Sequence, residues 1–396
     1  MERRRFGRTE LAMPVFSCGG MRYQHKWQDT PLSEVPPENQ ANLEATIRRS
    51  FEVGVNHIET ARGYGSSERQ LGLVLPTFPR EELIVQTKVA PVADVAEFRA
   101  NFLDSLARLK LEYVDLLSLH GINDEETLEW SIKPGGCLEA ARQLQREGLA
   151  RHVGFSTHAH LDTILKAIRT ETGGGFDYVN IHWYYIFQNN WPAVLEARAH
   201  DMGVFIISPS DKGGMLYKPT ARMAELTAPL HPIIFNNLFC LARPEVHTLS
   251  VGAARPSDFE LHVESLAYRD RTAELLPAIE ARLRAAMAEA VGADFASRFA
   301  EGLPKWEQTP GNVNMPIILW LHNLARAFDM KEYAQMRYNL LGNAGHWFPG
   351  GNAEKAAEVD LAPALEKSPF KDRIPALLRE AHSLLWKEPA KRLSES

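Results

Sequence analysis

From about residue 50 the chain alternates short apolar runs with amphipathic stretches. The runs are residues 56–60 (NHIET), 83–88 (LIVQTK), 114–120 (VDLLSLH), 152–157 (HVGFST), 178–182 (YVNIH), 204–208 (VFIIS) and 247–252 (HTLSVG). Residues 15–20 (VFSCGG) bring them to eight. Runs this short and this apolar predict strands buried on both faces, as in a parallel sheet. Between them Phe98, Phe102, Leu106 and Leu109, and then Leu161, Ile164, Leu165 and Ile168, recur at helical spacing.

Eight strands alternating with helices over about 260 residues match the size of a (β/α)8 barrel. A doubly wound open sheet shares the alternation, and two features favour the barrel. No G-x-G-x-x-G opens the first unit. Most runs end in polar or small residues: Glu59-Thr60, Lys88, His120, Ser156-Thr157, His182, Ser208 and Gly252. In a barrel such strand ends converge on one mouth, where active sites sit. Beyond about residue 270 the strand pattern stops. Residues 273–291, 316–327, 333–341 and 373–386 carry helical periodicity, broken at 309–311 (TPG) and 348–351 (FPGG). The expected architecture is α/β: a (β/α)8 TIM barrel over residues 1–270, then an all-helical C-terminal domain over 271–396.

A length of 396 residues accommodates more than one structural unit. The balance of 44 basic against 50 acidic residues, a net −6, offers no basic excess for neutralising phosphates, which argues against a nucleic-acid partner. Three scattered cysteines (Cys18, Cys137, Cys240) form no disulfide framework and fit a reducing compartment. The opening MERRRFGRTELAMP lacks the apolar run of a signal peptide, and no stretch is apolar enough to span a membrane. A cytoplasmic protein without a membrane partner is the expectation.

Glu59 and Tyr64 stand at or after the second predicted strand, Lys88 at the end of the third and His120 at the end of the fourth. Together they make a carbonyl-reducing set. A phenol titrating near about 10 is a poor acid at neutral pH. A nearby ammonium lowers that value, so the phenol can protonate a developing alkoxide, while a histidine holds the substrate oxygen and a carboxylate the lysine.

The stretch GVNHIETARGYGSSERQLG (residues 54–72) resembles the aldo/keto reductase pattern G-x-x-x-x-D-T-A-x-x-Y-G-x-S-E-x-x-L-G. VQTKV, YVDLLSLHGIND and RHVGFSTH resemble that family's third to fifth strands, and ISPSDKGGML and LSVGAARPSDFELH its last two with their cofactor loops. The resemblance implies Tyr64 as general acid/base, Lys88 as its partner and His120 as substrate-orienting residue. It implies an NADP(H) or NAD(H) cofactor whose nicotinamide is held by Ser156 and Asn180 and stacked on Trp183. Ser208, Pro209, Ser210, Lys212, Gly213 and Gly214 would wrap the pyrophosphate. Gly252, Ala253, Arg255 and Asp258, with His262, would hold the adenosine end, the planar fork of Arg255 suiting a 2′-phosphate.

Two departures stand out. Glu59 replaces the family's aspartate with a side chain one methylene longer. The C-terminal region resembles a ferredoxin-like branch of the family, yet the C-x2-C-x2-C-x3-C-P spacing falls on Glu358, Leu361, Ala364 and Ser368, and the upstream cluster would end at Thr309. Without thiolates no iron–sulfur cluster is expected. A metal set of Glu59, His120, His158 and His182 would leave Tyr64 and Lys88 idle; no metal is expected, and His158 and His160 read as first-turn helix residues. The expected activity is interconversion of a carbonyl and an alcohol on a small-molecule carbonyl, polyol or sugar. The alternatives are a dinucleotide-binding sensor or scaffold, or an isomerase, epimerase or lyase using permanently bound NAD. Residues 21–40, 123–136 and 184–191, with Trp27, Trp130, Tyr185 and Trp191, are the candidate substrate loops.

Overall fold

The computed structural model describes residues 1–342 and 349–388. The described residues divide into two compact units, residues 1–213 with 233–272, and residues 214–232 with 273–342 and 349–388. The break predicted from Phe348, and the end of the expected helical region, lie partly outside the described residues.

The first unit is a closed barrel of eight parallel strands: β3 (Phe16–Gly19), β4 (His57–Glu59), β5 (Ile84–Val89), β6 (Val114–His120), β7 (Ala150–Ser156), β8 (Tyr178–Ile181), β9 (Gly203–Ile206) and β10 (Thr248–Ser250). β10 closes the ring against β3. Each predicted run overlaps one of these strands, and the open-sheet competitor is excluded by that closure. Helices cover the outside. Asp94 caps Val95–Leu109 by accepting from the Ala96 N–H at 2.9 Å, and that helix buries Phe98, Phe102, Leu106 and Leu109. In Leu161–Ile168 the buried face is Thr163, Ile164, Ala167 and Ile168, rotated slightly from the predicted stripe.

The sequence reading did not foresee the barrel floor. β1 (Arg3–Arg5) and β2 (Ala12–Pro14) pair as an antiparallel hairpin. Phe6, in the loop joining them, packs with Met13, Ile84, Leu116, Tyr178 and Phe205 in one buried cluster. Glycines make the room: a Cβ on Gly203 would come within 2.7 Å of the Phe6 ring, and one on Gly154 within 2.6 Å of the Tyr178 ring. Above this floor lies a polar layer. His57 Nδ1 is 2.6 Å from Ser17 Oγ, which is 2.7 Å from Thr248 Oγ1, and His57 Nε2 is 3.2 Å from Gln86 Oε1. Side chains two apart on a strand share a face, so Glu59 follows His57 and Lys88 follows Gln86 toward the mouth.

The second unit is helical among its described residues, chiefly Ala221–Thr227, Thr272–Val291, Met315–Phe328, Lys331–Tyr338 and Ile374–Leu385. Residues 214–232 join it through local bonds: Thr220 Oγ1 donates to the Phe328 carbonyl at 2.8 Å, and Arg282 Nε to the Leu226 carbonyl at 3.0 Å. Asn314 caps Met315–Phe328, and Asp329 ends it in the left-handed region at φ 54°. Where the ferredoxin-like spacing falls, Thr309, Leu361 and Ser368 are buried, and Thr309 Oγ1 donates to the Trp306 and Val313 carbonyls. No described helix is long and apolar enough to cross a membrane.

Candidate active site

Glu59 closes β4, His120 closes β6 and Ser156 closes β7, while Lys88 sits one residue inside the end of β5 and Asn180 one inside the end of β8. Tyr64 comes from the turn behind β4, where its N–H bonds the Ala61 carbonyl at 3.0 Å. The loop after β3 lies directly on this turn. Gly65, at φ +48°, brings its backbone so close to the Lys26 carbonyl that a Cβ would meet that oxygen at 1.8 Å. Ser66 N–H donates to the same carbonyl at 3.2 Å, and the Ser66 Oγ accepts from the His25 N–H at 3.1 Å. This docking sets the Trp27 ring edge-on to the Tyr64 ring, centroids 5.9 Å apart.

Four residues distant in sequence therefore meet. Lys88 Nζ contacts the Glu59 carboxylate, donates to the Thr60 carbonyl at 2.8 Å and stands 3.2 Å from the Tyr64 hydroxyl. The Tyr64 and His120 rings lie edge to face at 5.6 Å. The longer carboxylate of Glu59 still reaches the lysine.

Electrostatically the site differs from the sequence expectation. Burial pushes the Tyr64 phenol above its ordinary value, where a lowered one was expected. Desolvation of the phenolate outweighs the neighbouring cation in the protein alone. Burial, and then the charge of Lys212, holds Lys88 well below the ordinary ammonium range. The Glu59 carboxylate in contact with it acts in the opposite sense. Below them His57 is held at about 3, mainly by burial.

Ser156 and Asn180 sit side by side, paired in register across β7 and β8. The Ser156 Oγ accepts from the Gly121 N–H at 3.0 Å, leaving its own hydroxyl hydrogen to donate. Asn180 is fully buried, yet neither amide atom has a hydrogen-bond partner. Such orphaned buried groups are uncommon and point to a ligand that completes them. Trp183 stacks on Phe239 at 5.0 Å and leans on Trp191 at 4.7 Å. Tyr185 likewise packs on Phe235 and Phe239.

The loop after β9 turns sharply. Ser208 adopts φ 53°, its carbonyl accepts from the N–H groups of Lys212 and Gly213, and a Cβ on Gly213 would strike the Pro209 carbonyl at 1.7 Å. Asn236 Nδ2, unremarked in sequence, donates to that carbonyl at 3.1 Å. The Ser210 Oγ is buried without a partner. Gly214 begins the second unit.

After β10, Gly252 takes φ +59° and its carbonyl accepts from Arg22 Nη1 at 2.9 Å; Ala253 is fully buried. Asp258 shapes this loop itself: one oxygen accepts from the Ala254 N–H at 2.8 Å and the other is 3.3 Å from Arg255 Nε. The Arg255 side chain is 72% exposed and open to solution. His262 is fully buried, in contact with Phe16 and Asn237.

Of the histidines at the mouth, His160 precedes Leu161–Ile168 and makes no side-chain capping bond. His158 is not a first-turn helix residue: its Nδ1 lies 2.8 Å from His182 Nε2, with the rings stacked at 4.6 Å. Among the described residues no three His, Cys, Asp or Glu side chains are grouped to hold a metal ion.

A sequence profile described as the Aldo/keto reductase family matches residues 16–228. The L-galactose dehydrogenase of Arabidopsis thaliana is 28% identical over 220 residues, 53% of this chain and 65% of its own length. The D-threo-aldose 1-dehydrogenase of a Pseudomonas species is 26% identical over 156 residues, 32% of this chain and 46% of its own. The chain thus spans about half to two thirds of these relatives' length. An aldo-keto reductase of Klebsiella pneumoniae solved in complex with NADPH shares the fold at a TM-score of 0.54 and 19% identity, covering 67% of this chain and 89% of that one.

Proposed function

This chain belongs to the aldo/keto reductase family, and from that premise we propose that it is a nicotinamide-dependent oxidoreductase interconverting a carbonyl and an alcohol, with Tyr64 as general acid/base. The observation that carries the reading is the contact of Lys88 with Glu59 on one side and its 3.2 Å approach to the Tyr64 hydroxyl on the other.

The residues fit the cofactor. The orphaned amide of Asn180 offers an NH2 donor group and a carbonyl acceptor, the complement of a carboxamide, with the Ser156 hydroxyl beside it. Ser210 and Lys212, in the tight loop closed by Gly213, suit a pyrophosphate. Gly252 and Ala253 shape the adenosine end, and the exposed Arg255 suits a 2′-phosphate, which favours NADP(H) while leaving NAD(H) able to bind. When bound, a reduced nicotinamide supplies the hydride.

The chain's own groups manage the proton. Burial keeps Tyr64 a neutral phenol, the state required to protonate a carbonyl oxygen as it becomes an alkoxide. The Glu59 carboxylate opposes the effect of burial and favours Lys88 as an ammonium, which, held also by the Thr60 carbonyl, stabilises the phenolate left behind. His120, edge-on to Tyr64, orients the carbonyl oxygen. In the oxidative direction the same phenolate takes the proton back. The two curated relatives are named as sugar dehydrogenases, which supports a hydroxylated aldehyde or aldose as the substrate class.

The test is direct. Purified protein is given NADPH or NADH deuterated at C4 and a panel of aldehydes and aldoses, and label in the product alcohol is measured by mass spectrometry. Transfer to at least one carbonyl is the expected result. Tight dinucleotide binding without transfer to any member would favour a sensor and sink this reading.

A further inference from the structure

Resting on the oxidoreductase reading, we infer that Ser66 and Gln70 are positioning residues for the Tyr64 acid, because their side chains fasten the loop after β3 to the turn that carries it. The Tyr64 ring has three neighbours. Lys88 Nζ lies 4.4 Å from its centroid, and the His120 and Trp27 rings meet it edge to face. Lys88 and His120 project from β5 and β6, whose pairing fixes them. Trp27 has no such support: residues 20–36 form no strand and only the short turn Leu32–Glu34. At the outer end of this loop Asp29 pairs with Arg69 and Arg108, each at 2.7 Å. The Asp29 side chain is 45% exposed, however, and ion pairs open to water hold weakly.

The firm attachment is buried. Ser66 stands at the N-cap of the helix Ser67–Val74, where a serine oxygen ordinarily accepts from one of the first backbone N–H groups. Here it makes no capping bond. Its Oγ accepts instead from the His25 N–H at 3.1 Å and donates to Gln70 Oε1 at 2.8 Å. Gln70 Oε1 also accepts from the His25 N–H, at 3.0 Å, so one backbone donor is shared between the two side chains. Gln70 Nε2 donates to Asn39 Oδ1 at 2.8 Å and to Gln40 Oε1 at 3.3 Å. Both ends of the amide are thus engaged, which fixes its orientation. Ser66 and Gln70 are fully buried, where water does not compete for these bonds.

The link to the chemistry is short. Ser66 follows Tyr64 by two residues, and its own N–H reaches the Lys26 carbonyl at 3.2 Å. Trp27 is the next residue, so the same few bonds hold the acid's turn and the ring beside it as one unit. A hydroxyl diverted from its helix to a neighbouring loop serves that unit. Loosening it lets the phenol drift from the line to the carbonyl oxygen, and a misplacement near about 1 Å can cost about two orders of magnitude in rate.

The experiment uses the full chain, with the carbonyl and the cofactor that give the fastest label transfer in wild type. Ser66→Ala deletes one oxygen and no capping bond, while Gln70→Met keeps the side chain's length and removes its amide. In each variant kcat is expected to fall about tenfold. Cofactor affinity, read by fluorescence titration, should stay within about twofold of wild type, since neither side chain bonds the residues suited to the cofactor. In a Tyr64→Phe background, followed by single-turnover deuteride transfer, Ser66→Ala should cost less than about twofold more, because the acid it positions is gone. A kcat within about twofold of wild type in either single variant overturns the positioning role. So does a cofactor affinity that falls in step with kcat, or a further tenfold loss (about 1.4 kcal/mol) in the Tyr64→Phe background. Each of these results leaves the oxidoreductase reading standing. Absence of transfer from wild type to any carbonyl overturns both.

Discussion

The nitrogen of Lys88 stands 3.2 Å from the Tyr64 hydroxyl, and 24 residues of chain separate the two. The tyrosine rides on the turn behind β4 and the lysine projects from β5 itself, so barrel closure sets their approach. Deleting the hydroxyl in Tyr64→Phe leaves a ring that can keep its edge contacts with His120 and Trp27. We expect kcat to fall by about two to four orders of magnitude with little change in thermal midpoint, checked by steady-state kinetics and calorimetry. Retention of wild-type kcat would remove Tyr64 from the chemistry.

Glu59 and Lys88 are both buried. Lys88→Met would strand a carboxylate in the barrel and cost about 3–5 kcal/mol in urea unfolding. The double variant Lys88→Met/Glu59→Leu should recover most of that loss while remaining inactive. If the single variant is as stable as wild type, the pair is not an ion pair in solution.

Asn180→Leu should move stability and binding in opposite directions. Removing an unpartnered buried amide is expected to stabilise the free protein by about 1–2 kcal/mol. The same change should weaken NADPH and NADH binding by about tenfold, read by fluorescence titration. Loss of stability together with unchanged affinity would show that the amide serves the fold and not the cofactor.

Acid should destabilise the barrel through its buried histidines. Burial holds His57 at about 3 and His247 at about 4, against 6.5 for the ordinary side chain. As pH falls below 6.5 the unfolded chain takes up protons that the native state refuses. The stability they contribute is complete above that value and is lost as pH drops toward the folded values. Each histidine contributes a slope of up to about 1.4 kcal/mol per pH unit in this window. Urea unfolding as a function of pH should show it, and His57→Gln should reduce the slope by about one proton. An unchanged slope in that variant would mean His57 titrates normally.

Much of this was legible along the chain because it rests on local periodicity. Apolar runs buried on both faces marked all eight barrel strands, and polar residues at their ends marked Glu59, Lys88, His120, Ser156 and His182 as candidates for one mouth. Phe98, Phe102, Leu106 and Leu109 marked a helix face that the structure buries in full. These patterns need only the 2.0 and 3.6 residue periods of strand and helix.

Tertiary structure decided the rest. His158 and His182 meet because β7 and β8 pair in one register; a one-residue slip would turn either ring to the other face. Phe6 fills the floor only because Gly203, almost two hundred residues away, leaves space for it. Trp183 and His262, which the resemblance placed at the cofactor, lie against Phe239, Phe16 and Asn237, since what occupies a ring's surroundings is chosen by other elements. The ionisation of Tyr64 and Lys88 belongs to the same class: desolvation sums over every group that excludes water, and no stretch of sequence contains that sum.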